Sequence, residues 1–205
     1  MRLKASVKQR RFLIRLLGDK CRVLHKDGSV TTGLEDVADE IWEYLGYGGA
    51  RRGGKTHLMA VAVVLLSLVF DNIKILIIRK GKAAVVNNYK NLIQQKVLPK
   101  LGLDKVFKWY AQDNVFRCLP TGSEIHLGYL NLPKDIEQYI GNEYAFVFLE
   151  EATQHEDTAY DDLRGSNRGA GGDAKFVISC NPGGGPGHVW VKERFVNPQT
   201  RWPNT

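Results

Sequence analysis

The stretch that decides the fold is Gly49-Ala50-Arg51-Arg52-Gly53-Gly54-Lys55-Thr56. It matches the phosphate-loop template G-x-x-x-x-G-K-[ST] at every fixed position. Glycines let consecutive backbone N–H groups turn inward onto phosphate oxygens, and the helix that follows presents its positive N-terminal end to the same anion. In such a loop Lys55 reaches the β- and γ-phosphates and Thr56 places its hydroxyl on Mg²⁺. The motif therefore predicts a site for ATP and Mg²⁺.

The segments on either side of the loop have the apolar character that the motif requires. An apolar stretch, Trp42–Tyr47, comes before the loop, and the apolar run Leu58–Phe70 follows it. We expect a strand, the loop and a buried helix, although a glycine-rich turn that binds no ligand is the alternative. The apolar residues that follow a capping box at Thr32 have the spacing of a helix, and this spacing conflicts with a strand in the same segment. We therefore expect a helix that starts near Leu34 and ends near Glu40, with the strand starting near Trp42.

Length and composition indicate one soluble globular domain. The chain has 205 residues, of which 43% are hydrophobic and 25% charged. Its three cysteines are widely spaced and give neither a disulfide framework nor a metal pattern, so we expect reduced thiols. The 13-residue run Leu58–Phe70 is too short to span a bilayer.

The charge balance is basic, with a net charge of +7. The excess is strongest in the first 26 residues, where nine basic side chains face only Asp19. A basic surface attracts polyanions, so contact with nucleic acid is one interpretation. A solvated surface or flexible arm is the other, and charge alone does not separate them.

Strands alternate with helices along the rest of the chain, which predicts an α/β fold with a mainly parallel sheet flanked by helices. The expected buried strands are Ile73–Ile78, Ala145–Leu149 and Lys175–Cys180, and the expected helices are Ala83–Leu98, stopped by Pro99, with Pro133–Ile140 and Glu156–Leu163. A hairpin region is expected from strands at Val106–Tyr110, Val115–Leu119 and Glu124–Leu130.

Two carboxylates follow an apolar strand in Phe146-Val147-Phe148-Leu149-Glu150-Glu151. We expect this strand to run beside the strand that precedes the phosphate loop, so that both acids reach the nucleotide. Glu150 can then hold the Mg²⁺ shell, and Glu151 can orient and deprotonate an attacking water. Two acids that merely open a solvated loop are the alternative. The metal-side acid at this position is usually Asp, whereas this chain has the longer Glu150.

Polar side chains also end the next strand, in Ser179-Cys180-Asn181-Pro182. Because ligands of open α/β sheets bind beyond the carboxyl ends of the strands, Ser179 and Asn181 are expected to face the γ-phosphate. Asn-Pro as the start of a turn is equally compatible with the residues. The predicted nucleotide-binding set is completed by Gly49, Ala50, Arg52, Gly53, Gly54, Lys55, Thr56 and His57.

Taken in order, these motifs resemble the ATPase domain of the large terminase subunit of tailed double-stranded-DNA bacteriophages. The resemblance rests on Gly48–Thr56, Ile77–Lys80, Pro120–Ser123, Phe148–Ala152, Ser179–Pro182 and His188–Trp190, and it covers about Trp42 to Phe195. It implies a phosphate-loop NTPase of the additional-strand catalytic-glutamate type. The glycine loop is shared by many ATPases, whereas the combination of an arginine in the loop, Leu-Glu-Glu-Ala and Ser-x-Asn-Pro is more specific.

The resemblance also implies roles for single residues. Lys55 and Thr56 match the residues for phosphate and Mg²⁺, and Arg51 matches a loop arginine proposed to act as an arginine finger. Glu151 matches the catalytic glutamate, and the segment from Ser179 to Asn181 matches a motif that couples hydrolysis to movement. Gln9 resembles a glutamine that reads adenine, although it lies far from the loop in sequence.

The family implies an ATP-driven motor that moves viral DNA into a procapsid in the cytoplasm of the infected bacterium, transiently at the procapsid portal. The implied partners are double-stranded DNA, the portal protein, the small terminase subunit and further copies of the chain in a pentameric ring, with a monomer possible in isolation and no membrane involved. The expected organisation is an N-terminal basic segment (1–41), the ATPase core (42–182) and a C-terminal extension (183–205). Because the sequence stops there, without the nuclease domain of the family, we expect that this chain does not cut DNA by itself.

Two other classes stay open on the residues. One is another phosphate-loop enzyme, such as a helicase-like DNA translocase or a small-molecule kinase. The other is a nucleotide- or DNA-binding module without turnover. A helicase core usually brings a second similar domain, and a kinase would leave Glu151 without its role at the water.

Overall fold

The computed structural model describes residues 6–17, 22–24, 30–32, 44–49, 53–168, 174–181, 183 and 185–197. The strands are β1 (Arg22–Leu24), β2 (Val30–Thr32), β3 (Tyr44–Gly48), β4 (Lys74–Arg79), β5 (Phe107–Tyr110), β6 (Val115–Cys118), β7 (Glu124–Tyr129), β8 (Phe146–Leu149) and β9 (Lys175–Cys180). The α-helices are α1 (Val7–Leu17), α2 (Lys55–Val69), α3 (Lys82–Val85), α4 (Leu98–Leu101), α5 (Asp157–Gly165) and α6 (His188–Phe195). Short 3₁₀ helices cover Pro133–Gln138 and Ala152–Gln154.

Seven of these strands form one sheet, in the order β3-β9-β8-β4-β7-β6-β5. The first five strands in that order are parallel, and β6 and β5 continue the sheet as an antiparallel hairpin beside β7. The predicted mainly parallel α/β fold with a hairpin region is therefore confirmed.

The expectation that β8 runs directly beside β3 is wrong, because β9 lies between them and pairs with both. The apolar strands are too similar in composition for the sequence alone to show their order.

The sheet is covered on both faces, as the alternation of side chains along β4 shows. Ile75 and Ile77 join a core that includes α1, α2 and the 82–101 helical segment. Leu76 and Ile78 join a second core with the 3₁₀ helix at 133–138, α5 and α6. All four side chains are fully buried, which explains why the strand is continuously apolar rather than alternating.

Helix α2 begins at Lys55 and carries the apolar run that the sequence placed after the loop. Eleven of its 15 residues are buried, so the helix lies in the core and is apolar on nearly all sides. None of the described helices is long and apolar enough to cross a membrane.

The helical segment after β4 differs from the prediction at its end. It continues through two π-helical turns, Val86–Lys90 and Ile93–Val97, into α4, so Pro99 does not stop it. Pro99 is the second residue of α4, directly after the second π-helical turn. The helix ends instead at Gly102, which adopts the left-handed conformation with φ of 68°.

Several predictions concern the two ends of the chain. The helix expected from Leu34 to Glu40 and the strand start near Trp42 lie outside the described residues, and Thr32 itself ends β2. At the other end, Trp190 and Val191 of α6 are buried in the second core. The domain limits at 41 and 182 remain predictions.

Candidate nucleotide site

The described part of the phosphate loop connects the end of β3 to the start of α2. Lys55 is buried, and its Nζ donates a hydrogen bond to the Gly49 carbonyl at 2.7 Å, which closes the loop on itself. Gly54 immediately before the helix has φ of 74°, a conformation that a side chain would strain. Ala50, Arg51 and Arg52 lie outside the described residues.

The two carboxylates after β8 meet the loop helix directly. The Thr56 hydroxyl donates a hydrogen bond to Oε1 of Glu150, which joins residues 94 positions apart. Arg79, at the end of β4, donates to Glu150 Oε2 at 3.2 Å and to Glu151 Oε1 at 3.0 Å. The two halves of the predicted site are thus brought together, with one arginine between both acids.

Glu150 is 3% exposed, and burial raises the pKa of its carboxyl group. The hydrogen bond from Thr56 and the charge of Arg79 oppose this effect because they favour the ionised form. Tyr89 is fully buried in the first core, and burial followed by the charge of Glu150 holds the pKa of its hydroxyl well above the usual value.

Glu151 stands at the junction between β8 and the 3₁₀ turn, with a backbone φ of 54°. This left-handed conformation is uncommon for a glutamate and often marks functional sites. The side chain is part-exposed, and its second oxygen accepts a hydrogen bond from Gln154 at 2.7 Å. Both oxygens of the predicted base are therefore bonded within the chain, by Arg79 and Gln154.

Ser179 and Asn181 lie where the sequence placed them, at the carboxyl end of β9. Ser179 pairs in register with Tyr47 of β3, so this strand end adjoins the base of the loop. The Ser179 hydroxyl and the Asn181 amide oxygen are buried, and neither has a hydrogen-bond partner among the described residues. Their orientation toward a phosphate remains a prediction.

Helix α1 brings its polar side chains to the loop despite the long separation in sequence. Lys8 Nζ donates to the Gly48 carbonyl at 2.8 Å. The amide nitrogen of Gln9 would lie 3.5 Å from a Cβ built on Gly54, so this side chain borders the loop. His57 lies on the first turn of α2 with much of its side chain exposed. Its partial desolvation, and then the charges of Lys100 and Lys96, lower the pKa of its imidazole.

The oxygen ligands near the loop fit the way proteins hold Mg²⁺ beside phosphates. Among the described residues, no group of three or more His, Cys, Asp or Glu could hold a metal ion. Mg²⁺ at such sites needs no protein cage, because one or two protein oxygens act together with phosphate oxygens and water. Thr56 and Glu150, whose side chains touch, are a suitable oxygen pair.

Sequence reasoning missed three side chains at this site: Arg79, Tyr89 and Gln154. The rule that carboxyl ends of parallel strands share one edge would have selected Arg79, since it ends an apolar strand. The sequence does not reveal that β4 is the neighbour of β8, so it does not connect Arg79 with the two acids. Tyr89 and Gln154 carry no signal in the sequence, since both follow from how the helical turns pack.

The loop after β9 packs backbone to backbone on the turn that follows Glu151. Gly187 donates its N–H to the Thr153 carbonyl at 3.0 Å. A Cβ on Gly187 would lie 2.3 Å from the His155 carbonyl oxygen and 2.7 Å from that of Ala152. The start of α6 and the turn that follows the predicted base are therefore in contact at a point that has no room for a side chain.

We expect Gly187→Ala to lower the free energy of unfolding by about 1–3 kcal/mol, the usual cost of overpacking a buried site. The matched control is Gly165→Ala, because a Cβ there meets nothing within 4 Å. The control should keep the wild-type stability or raise it by up to about 1 kcal/mol, because alanine restricts the unfolded chain and fits this position. Urea unfolding of both variants measures this, and equal stabilities would contradict the close contact.

His155 lies in the same turn and should make stability fall in acid. Burial, with a smaller contribution from Lys80, lowers its pKa from 6.5 to about 4. The unfolded chain therefore takes up a proton at a higher pH than the folded one, so the stabilisation is present above pH 6.5 and is lost as pH falls toward 4. The loss attributable to His155 should reach about 3 kcal/mol.

The measurement is the free energy of unfolding of the wild type and of His155→Gln between pH 7.5 and 4.5. Glutamine does not titrate, so the variant should lose less stability over this range. Identical pH slopes would show that His155 is not buried in its neutral form.

A family model described as phage terminase large subunit matches residues 43–204, the part of the chain that carries this site. Among solved structures, a large terminase from a thermophilic bacteriophage superposes with a TM-score of 0.65 at 16% identity, covering 92% of this chain and 42% of that one. The same phage protein in complex with ADP gives a TM-score of 0.64 at 16% identity, covering 85% and 39%.

The large terminase of bacteriophage HK97 gives a TM-score of 0.61 at 15% identity, covering 88% of this chain and 34% of that one. This chain therefore spans only about a third to two fifths of those proteins, and such low identities establish likeness of fold alone. No curated protein matches by sequence. Since the family model covers most of the chain, including the loop helix, both carboxylates and the end of β9, the chain belongs to the phage terminase large subunit family.

Proposed function

We propose that this chain hydrolyses ATP to ADP and phosphate, and that the hydrolysis drives viral double-stranded DNA into a procapsid. The observation that carries the proposal is the contact of Thr56 with Glu150, with Glu151 next to it. Two motifs that are far apart in sequence meet at one point, in the arrangement that phosphoryl-transfer sites use. Membership of the large terminase family supplies the DNA-packaging role.

In the proposed reaction the loop N–H groups and Lys55 bind the phosphates of ATP. Thr56 and Glu150 would hold Mg²⁺, which when bound would neutralise charge on the phosphates. Glu151 orients a water molecule and accepts its proton as the water oxygen attacks the γ-phosphorus. The bond from the γ-phosphorus to the oxygen that bridges it to the β-phosphate breaks, so ADP leaves and inorganic phosphate forms. In this structure both oxygens of Glu151 accept hydrogen bonds, one from Arg79 and one from Gln154. We propose that Glu151 leaves Arg79 to face the water molecule.

Other assignments in the proposal rest on position and on the family. Gln9 borders the loop and is the proposed reader of adenine. Ser179 and Asn181, with buried polar atoms that have no partner among the described residues, are the proposed sensors of the γ-phosphate. Arg51 is the proposed arginine finger on the strength of its place in the motif.

The proposed partners are those of a packaging motor: double-stranded DNA, the portal protein, the small terminase subunit and further copies of this chain in a pentameric ring. The proposed location is the cytoplasm of the infected host, at the procapsid portal during packaging. DNA would be held by its phosphates, because a motor that moves along a whole genome has to grip every sequence equally.

The experiment is a steady-state measurement of ATP hydrolysis with and without duplex DNA at several salt concentrations, with Lys55→Ala as the inactive control. A packaging motor predicts hydrolysis that DNA stimulates, with stimulation that falls steeply with salt and does not depend on DNA sequence. Phosphate transfer to a small acceptor would instead support a kinase. Absence of turnover in both proteins would support a binding module.

A further inference from the structure

The 82–101 helical segment gives one side of the molecule a basic surface. Its apolar side chains pack inward on the core that contains α2, which leaves its charged side chains on the outer side. The segment has four lysines and no acidic residue. None of the four forms an ion pair with a described residue. This basic surface consists of Lys82, Lys90, Lys96 and Lys100.

Three of these lysines are exposed, and Lys90 is half-buried. The Nζ of Lys90 lies 5.5 Å from the centre of the Trp109 ring, and the Nζ of Lys82 lies 5.7 Å from that of Tyr129. An aromatic ring attracts a cation without neutralising its charge. Two of the four charges are therefore held in place and remain available to an anionic partner.

The opposite side of the molecule carries the opposite charge. Residues 133–162 contain nine acidic residues and a single basic one, Lys134. Two of the acids, Glu150 and Glu151, belong to the nucleotide site. Four others are exposed and form no ion pair with a described residue. This acidic surface consists of Glu137, Glu143, Glu156 and Asp162.

A cleft of about 500 Å³ opens within the acidic surface, between residues 140–143 and α5. Its acidic lining is Glu143, Asp161 and Asp162. Asp161 already accepts a hydrogen bond from Arg194 at 2.7 Å, so the other two acids are the ones open to a partner. Ile140, which is 56% exposed, adds an apolar wall. Such a cleft suits lysine, whose methylene groups pack on apolar surface while its ammonium group meets the carboxylates.

The two surfaces cannot neutralise each other within one chain. The 82–101 segment packs on one face of the sheet, whereas the 3₁₀ helix at 133–138 and α5 pack on the other. The sheet and both cores lie between the lysines and the acids. A contact between these opposite charges therefore needs a second molecule.

We propose that the basic surface of one copy of this chain docks on the acidic surface of a second copy. The inference rests on the proposed function and deepens it, because it names the surfaces that join the copies of the proposed ring. Since the two surfaces lie on opposite faces, each copy keeps one surface free for a further copy. Such a head-to-tail contact closes into a ring when the rotation between copies allows it.

Duplex DNA is the other candidate for the basic surface alone. A second copy fits better, because it matches both surfaces at once, whereas DNA would leave the acidic surface without a partner. Complementary charge also sets which surfaces meet and in which orientation. Lys96 and Lys100 are the exposed lysines four residues apart on the helical segment, and Glu143 and Asp162 are the open acids of the cleft.

The test is sedimentation velocity of the chain without nucleotide. We expect the wild type to self-associate at about 0.05 M salt and to dissociate at about 1 M, where the Debye length falls to about 3 Å. Two double variants reverse one surface each: Lys96→Glu with Lys100→Glu, and Glu143→Lys with Asp162→Lys. Each alone should self-associate at least about tenfold more weakly, because like charges then face each other.

An equal mixture of the two double variants should associate again. In the mixture every contact joins either two original surfaces or two reversed ones, so each contact has opposite charges. This recovery also shows that both variants are folded. The matched control is Lys108→Glu with Lys192→Glu, which changes the net charge equally through two exposed lysines outside the basic surface. The control should associate like the wild type.

A wild type that stays monomeric at low salt and high protein concentration would overturn the proposal, and so would a mixture that does not associate. If the lysine variant loses affinity for duplex DNA but keeps wild-type self-association, DNA is the partner of the basic surface instead. Failure of the proposed function is seen separately, as absence of ATP hydrolysis by the wild type, because the association is measured without nucleotide.

Discussion

Replacing Glu151 with glutamine is expected to slow ATP hydrolysis by about 10²–10⁴-fold, the usual contribution of a positioned base. Glutamine keeps the size of the side chain and can still accept from Arg79, but it cannot take a proton from water. Binding of ATP and Mg²⁺ should remain, because Thr56 and Glu150 are unchanged. Steady-state kcat and nucleotide affinity together measure the effect.

The control for this variant is Glu150→Gln, which should weaken the dependence of the reaction on Mg²⁺. Glu137→Gln, an exposed glutamate on the 133–138 helix, should leave both properties unchanged. If Glu150→Gln and Glu151→Gln show exchanged phenotypes, the division of roles between the two acids is wrong.

Replacing Arg51 with alanine is expected to lower turnover by about 10³–10⁵-fold, the contribution of an arginine at a phosphoryl-transfer transition state. The expectation comes from its position in the motif, four residues before Lys55, where a guanidinium can reach its own γ-phosphate or that of a neighbour. ATP affinity should change little, since the charge acts on the transition state. Measuring kcat and ATP affinity of the variant tests both statements.

Arg52→Ala is the matched control and should lose much less activity, because adjacent residues of a tight loop point in different directions. Equal losses in the two variants would mean that the wrong arginine has been assigned. The dependence on protein concentration adds a further distinction. A rate that rises more than linearly indicates that Arg51 acts between subunits, whereas a proportional rate indicates action within one subunit.

The sequence predicted most of the fold because its signals are local. A β-branched apolar run such as Ile75-Leu76-Ile77-Ile78 is typical of a strand buried on both faces, and Lys55 marks the start of the helix that follows the loop. The glycine loop and the paired acids were found because their chemistry requires a fixed spacing. Their meeting through Thr56 and Glu150 follows from the parallel arrangement of the strands.

The features that the sequence did not predict depend on the spatial order of the strands and on how the helices pack. The place of β9 between β3 and β8 cannot be read from composition, since each of these strands pairs equally well with apolar neighbours. For the same reason Arg79 was not recognised as the partner of both acids. Tyr89 was hidden because a helical period predicts only a buried ring and gives no sign of a π-helical turn.

The most direct test of the central claim is a structure of the chain with Mg²⁺ and a non-hydrolysable ATP analogue. The account predicts the phosphates within the loop from Gly49 to Thr56, with Lys55 on the β- and γ-phosphates. It predicts Mg²⁺ between Thr56 and Glu150, and Glu151 released from Arg79 and facing a water molecule beside the γ-phosphate. A nucleotide bound elsewhere, or Glu151 still held by Arg79 with the γ-phosphate in place, would contradict it.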